Sequence, residues 1–128
     1  MAKGKFRIVD KSVWATCKAL PAGHHREALV FLYFESGPTA HWTGLYPAPI
    51  VDISEHTRLT VEDVRAAIAN LERWKVIVYD KERQLVCVRG MPERQLQGGP
   101  NAAHRKGIDR HLEAFAPGSP AVEAFNGA

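Results

Sequence analysis

Six histidines, two cysteines and a scatter of arginines and lysines are the residues of this chain that chemistry would use. A metal site needs converging ligands, and the sequence does not bring them together. His24 and His25 are adjacent, so on a helix they point apart. His41, His56, Cys17 and Cys87 show no CxxC, HxxxH or HExxH spacing. His104 and His111 lie two helical turns apart, too far to share an ion. Catalysis has no better foothold. There is no serine-centred elbow and no P-loop, and Gly98-Gly99 sits in a linker rather than after a strand. The chain is therefore read as non-catalytic, with neither metal nor cofactor.

The remaining chemistry is that of hydrogen-bond donors and positive charge. Between Leu59 and Trp74, the residues Val61, Val64, Ala67, Ile68, Leu71 and Trp74 mark one face of a helix. Thr60 is a good N-cap, and Asp63 can reach back to it as a shortened capping box. The outward positions are Glu62, Arg65, Ala66, Ala69, Asn70 and Arg73. If this helix enters a major groove, Arg65 and Asn70 are the side chains able to read guanine and adenine edges. Arg58 in the preceding turn suits a phosphate, and Lys81 and Arg83 reach a neighbouring backbone or minor groove. The opposing reading is an ordinary solvated face. Glu62 and Asp63 favour the helix dipole but repel phosphate, and Asp80 and Glu82 offset Lys81 and Arg83.

The elements around this helix follow from the same patterns. Val76 to Tyr79 and Leu85 to Val88 read as two strands joined by the polar tip Asp80 to Gln84. Upstream, Pro49 opens a short helix through Thr57, with Ile50 and Ile53 facing inward. Short helix, tight turn, longer helix and hairpin make a winged helix-turn-helix. Further back, His24 to Glu35 reads as a central helix, stopped by Ser36-Gly37-Pro38. Ala40 to Pro49 is aromatic and carries two prolines, which limits it to an edge strand. Phe6 to Val9 looks like a short strand or ordered arm, with Val13-Trp14 anchoring it. After the break at Gln97 to Pro100, Ile108, Leu112 and Phe115 share a narrow helical stripe suited to docking. Ala121 to Phe125 adds a turn. The fold class is thus α+β: a winged helix-turn-helix with a two-stranded wing over residues 1–96, then a linker and docked C-terminal helix over 97–128 of the same domain.

Composition sets mild bounds. The 128 residues are 45% hydrophobic and 24% charged, ordinary values for one globular domain. Net charge is +3 and the sequence pI about 9.0, a slight lean toward anionic partners. Lys3, Lys5, Arg7, Lys11 and Lys18 face only Asp10 at the start, which makes either a basic arm or a solvated terminus. Two cysteines without a spacing motif suit a reducing compartment. With no signal peptide and no apolar run of spanning length, a cytoplasmic protein without membrane association is expected.

Leu29 to Tyr33, Gly44-Leu45-Tyr46, Leu59 to Val64, Leu71-Glu72 and Val78-Tyr79-Asp80 resemble the N-terminal winged-helix domain of phage replication (replisome organiser) proteins, which are DnaD-like. Asn101, Lys106-Gly107-Ile108 and Ser119-Pro120 extend the resemblance into the tail. It implies double-stranded DNA as partner, in replication initiation or regulation; on this scaffold the outward helix face, the turn and the hairpin tip supply Arg58, Thr60, Arg65, Asn70, Arg73, Lys81 and Arg83 as the expected DNA-binding residues. It also leaves room for a different use of the same scaffold. That alternative is a protein–protein interaction module that forms a homodimer or blocks a host or phage protein. Two departures stand out. Lys75 occupies a position that is usually glycine, and the helicase loading done by a C-terminal domain in longer members is not expected of these 128 residues.

Overall fold

In the computed structural model, residues 9–21, 23–96 and 101–127 are described. The expected strand at Phe6 to Val9, most of the basic arm and the break at Gln97 to Pro100 lie largely outside them. The fold is α+β. Among the described residues, seven helices surround a three-stranded antiparallel sheet.

The helix that dominates the sequence is α4, Val61–Arg73. The middle of its apolar stripe is inside, with Val64, Ala67 and Leu71 0% exposed and Ile68 2%, while Val61 and Trp74 at its ends are only partly covered. Thr60 caps it, its hydroxyl accepting from the Asp63 amide at 3.1 Å. The reciprocal half of the capping box does not form. The Asp63 carboxylate accepts instead from Arg26 Nη1 at 3.2 Å, on the neighbouring helix. At the other end, Lys75 adopts φ +60°. Its amide donates to the Glu72 carbonyl and the Val76 amide to the Leu71 carbonyl, closing a Schellman turn. The turn thus keeps the geometry a glycine would give, with a lysine carrying the strain. Lys75→Gly is expected to stabilise the fold by about 0.5–1 kcal/mol, the relief of the left-handed backbone exceeding the extra entropy of the unfolded glycine. Chemical denaturation of both proteins measures this; equal or lower stability for Lys75→Gly would show that the lysine is unstrained.

Helix α2, His25–Ser36, lies across α4 and supplies Val30, Phe31, Tyr33 and Phe34 to the core. Leu29, within the same apolar run, is 42% exposed and stands outside the core cluster that holds Phe31, Phe34 and Leu71. Leu32 is partly buried against the core. Helix α3, Ile50–Thr57, begins after Pro49 as expected and buries Ile53 fully, while Ile50 is only partly covered.

Strands β1 (Leu45–Pro47), β2 (Ile77–Asp80) and β3 (Leu85–Val88) form a sheet in the order β1-β3-β2. The hairpin is therefore not alone: β1 adds an edge strand, with Leu45 opposite Cys87 and Tyr46 opposite Val86. All four residues of β3 are buried. Val86 and Val88 point to the main core, and Leu85 and Cys87 to a second cluster on the other face of the sheet. Because β3 is apolar on both faces, the sheet needs a second cover.

The C-terminal helices provide it. In α7, Pro120–Asn126, Ala121 and Val122 are buried against Leu45, Leu85 and Cys87. The segment expected to add one turn is thus the principal cover of the sheet. The stripe of α6, Ala102–Leu112, is flanking support, with Leu112 and the following Phe115 partly buried. Ser119 ties this layer to the hairpin, its hydroxyl donating to Asp80 Oδ2 at 2.7 Å.

Two helices have no counterpart in the sequence reading. Helix α1, Ser12–Ala19, starts where the Asp10 carboxylate accepts from the Ser12 amide, and it buries Val13. Trp14, expected to anchor with Val13, is 61% exposed. Helix α5, Met91–Leu96, buries Met91 and Gln95. No helix among the described residues is long and apolar enough to cross a membrane.

Candidate functional site

The face of α4 opposite its core stripe carries Arg65, Ala69 and Arg73 exposed and Ala66 half-covered, with Glu62 at its start. Small alanines between two arginines leave a low surface flanked by long cations. Arg58 is exposed beside it, closing α3 in a left-handed conformation with φ +66°. Ser54 supports that turn by donating to the Leu59 carbonyl at 2.6 Å. Thr60 is exposed, and its hydroxyl is already engaged as the helix cap.

Asn70 does not belong to this face. Its amide donates to Glu27 Oε2 at 3.1 Å, across the contact between α4 and α2. Glu27 is 0% exposed, and a buried carboxylate must collect donors. His24 Nδ1 lies 3.1 Å from it and Arg26 Nε 3.0 Å. Burial pushes the Glu27 carboxyl upward, but the hydrogen bonds from Asn70, Arg26 and His24 outweigh it and hold the group below its ordinary value. The side chain expected to read adenine is a structural donor to this carboxylate.

The hairpin cations also divide. Arg83 donates through Nη1 to Asp80 Oδ2 at 3.1 Å and through its backbone to Oδ1 at 3.2 Å. Asp80 is 4% exposed. Burial raises its carboxyl, yet donation from Ser119 and Arg83 leaves it below the ordinary range. Asp80 therefore neutralises Arg83 from inside the fold. Lys81 is exposed at the tip and makes no ion pair among the described residues. Gln84, read from sequence only as part of a polar tip, locks the hairpin to α3. Its side-chain oxygen accepts from the Ile50 amide and its carbonyl from Ala48, both at 2.8 Å.

That lock leaves a cleft of about 460 Å³ between the start of α3, the side of α4 and the hairpin. Arg65 and Lys81 both open onto it, above the apolar surfaces of Val61, Ile68 and Tyr79. The two sequence-expected cations from helix and hairpin are thus brought together, while Arg58 and Arg73 are not part of its walls.

The histidines and cysteines are used elsewhere. His41 and His111, seventy residues apart in sequence, stack with ring centroids 3.8 Å apart and planes within 6°. His111 Nε2 lies 2.6 Å from the Leu45 carbonyl, so this pair fastens α6 to β1. Trp42 meets His104 on the same side. No spacing rule in the sequence signals that stack. Among the described residues, no group of three or more His, Cys, Asp or Glu is placed to hold a metal ion. Cys17 and Cys87 are free thiols, both pushed up by burial, Cys87 to about 11.

No family model, curated protein or solved structure matches this chain.

Proposed function

We propose that the chain is a winged-helix module that binds double-stranded DNA without catalysis, of the phage replication type, acting in the cytoplasm in replication initiation or its regulation. The observation that carries this reading is the outward face of α4, where Arg65, Ala69 and Arg73 are exposed beside the half-covered Ala66 and the acidic Glu62. A helix with small residues at its crest enters a groove closely, and arginines at its edges reach base edges or phosphates. Arg58, exposed in the turn before α4, and Lys81, exposed on the hairpin, supply two further cations. Asn70 and Arg83, each tied to a buried carboxylate, drop out of the contact set.

Four cations then remain for phosphate or base contact. Duplex affinity is expected to fall with salt at a log–log slope of about −3 to −4, since each neutralised phosphate releases counterion. Lys81→Ala should flatten that slope by about one unit on every sequence, whereas Arg83→Ala should change it far less. Titrations on mixed-sequence duplexes and single strands at several salt concentrations measure both. Absence of binding at low salt would remove the reading.

The second reading is a protein-interaction module, by self-association or by inhibition of a host protein. Exposed Trp14, Leu29 and Val51, at 61%, 42% and 64%, favour it. Light scattering across a concentration series, without nucleic acid, tests the self-association form.

A further inference from the structure

We propose that the cleft between α3, α4 and the hairpin binds a small organic anion with an apolar body, of the aryl carboxylate class. The cleft's size, about 460 Å³, falls within the range of small-molecule sites. Its lining has the composition such sites have: a mostly apolar surface with a few convergent polar groups. Ile50, Val61, Ile68 and the Tyr79 ring supply the apolar part, and Val51, 64% exposed, stands at the rim.

The polar groups narrow the occupant. The Tyr79 hydroxyl donates to the Ala48 carbonyl at 2.6 Å, so it is already engaged. The Gln84 oxygen accepts from Ile50, which leaves that side chain its amide hydrogens as donors. Arg65 and Lys81 are cations, and no carboxylate is among the described residues that line the cleft. The donors still available there are the Gln84 amide and the two charged side chains, and the acceptors, the Tyr79 and Gln84 oxygens, are each already in one hydrogen bond. A bare inorganic anion would satisfy the cations but leave the apolar walls in water. A neutral apolar molecule would do the reverse. A carboxylate on an aromatic or branched body matches both.

This occupant is distinct from nucleic acid, although it would share Arg65 and Lys81 with the proposed duplex contact. The test uses the full chain and no DNA, so its outcome is independent of the DNA reading. The probe is 2-naphthoate, followed by amide and methyl NMR shifts. Saturable shifts are expected at Val51, Val61, Ile68 and Lys81. Inorganic phosphate and the neutral 2-naphthamide should each bind at least about tenfold more weakly, as loss of the apolar contact or of a charge-assisted hydrogen bond requires. Arg65→Gln and Lys81→Ala should each weaken 2-naphthoate by about five- to tenfold, with the amide spectrum elsewhere unchanged. Equal binding of 2-naphthamide, equal binding of phosphate, shifts confined to other surfaces, or no saturable shift would each overturn the proposal.

Discussion

Leu71→Ala is expected to cost about 2–5 kcal/mol of folding stability, which for a domain of this size lowers the melting temperature by roughly 8–20 °C. Leu71 is 0% exposed and sits in the same cluster as Val64, Ile68, Phe31 and Phe34. Truncation removes methyl groups from a place where helices α2 and α4 meet, and two packed helices cannot easily close the gap. The backbone role of Leu71 survives the change, because its carbonyl still accepts from Val76. The loss therefore reports packing and not the helix exit. Leu29→Ala is the matched control. Leu29 is 42% exposed, and the same chemical change there should cost well under about 1 kcal/mol. Thermal melting by circular dichroism compares the two; near-equal midpoints would mean that the core stripe of α4 faces elsewhere.

The contrast between Leu71 and Leu29 shows what the sequence made legible. Helix α4 was readable because its apolar positions repeat at helical spacing against a polar background, and Thr60 marks its start. Leu29 lies within seven consecutive apolar residues, where periodicity is lost, and only the placement of α4 tells inside from outside. The same limit hid β3's second face. A run of Leu85-Val86-Cys87-Val88 signals a buried strand, but not that α7 must cover Leu85 and Cys87.

The site was partly legible for a related reason. Arg65, Arg73 and Lys81 are outward by local pattern alone, and they are outward in the structure. Asn70 sits at the boundary of the α4 stripe, where a partner 43 residues away decides its role. The sequence offers Arg83 as a DNA contact offset by Asp80 and Glu82 at a mixed-charge tip, but not as the partner of a buried Asp80. Asp80 is buried and also accepts from Ser119, 39 residues further along the chain. Local rules describe side chains that meet water, and they fail for polar side chains recruited by a distant buried carboxylate.

Helix α5 is the clearest instance, and it carries the other large effect. Six residues beginning Met91-Pro92 are too short to form a helix on propensity. What holds them is Arg94, whose Nε donates to Glu35 Oε1 at 2.6 Å and Nη2 to Oε2 at 2.9 Å. Glu35 is 0% exposed on α2, and its guanidinium partner is only 17% exposed, lying 5.8 Å over the Phe31 ring. Removing the arginine leaves a buried carboxylate without its counter-charge, so Arg94→Ala is expected to cost about 3–5 kcal/mol. The pair itself need not be net stabilising, because both charges were desolvated to make it. Replacing both residues by methionine should therefore recover most of the loss, since the apolar pair fills similar volume with no charge to satisfy. Denaturant melts of Arg94→Ala, Glu35→Met and the double methionine variant separate the causes. If the double variant is as unstable as Arg94→Ala, the arginine acts through the packing of its stem rather than its charge. If Arg94→Ala loses less than about 1 kcal/mol, α5 is not held to α2 by this pair. The expected pattern, severe singly and mild together, would identify the Glu35–Arg94 contact as the feature that selects where α5 docks.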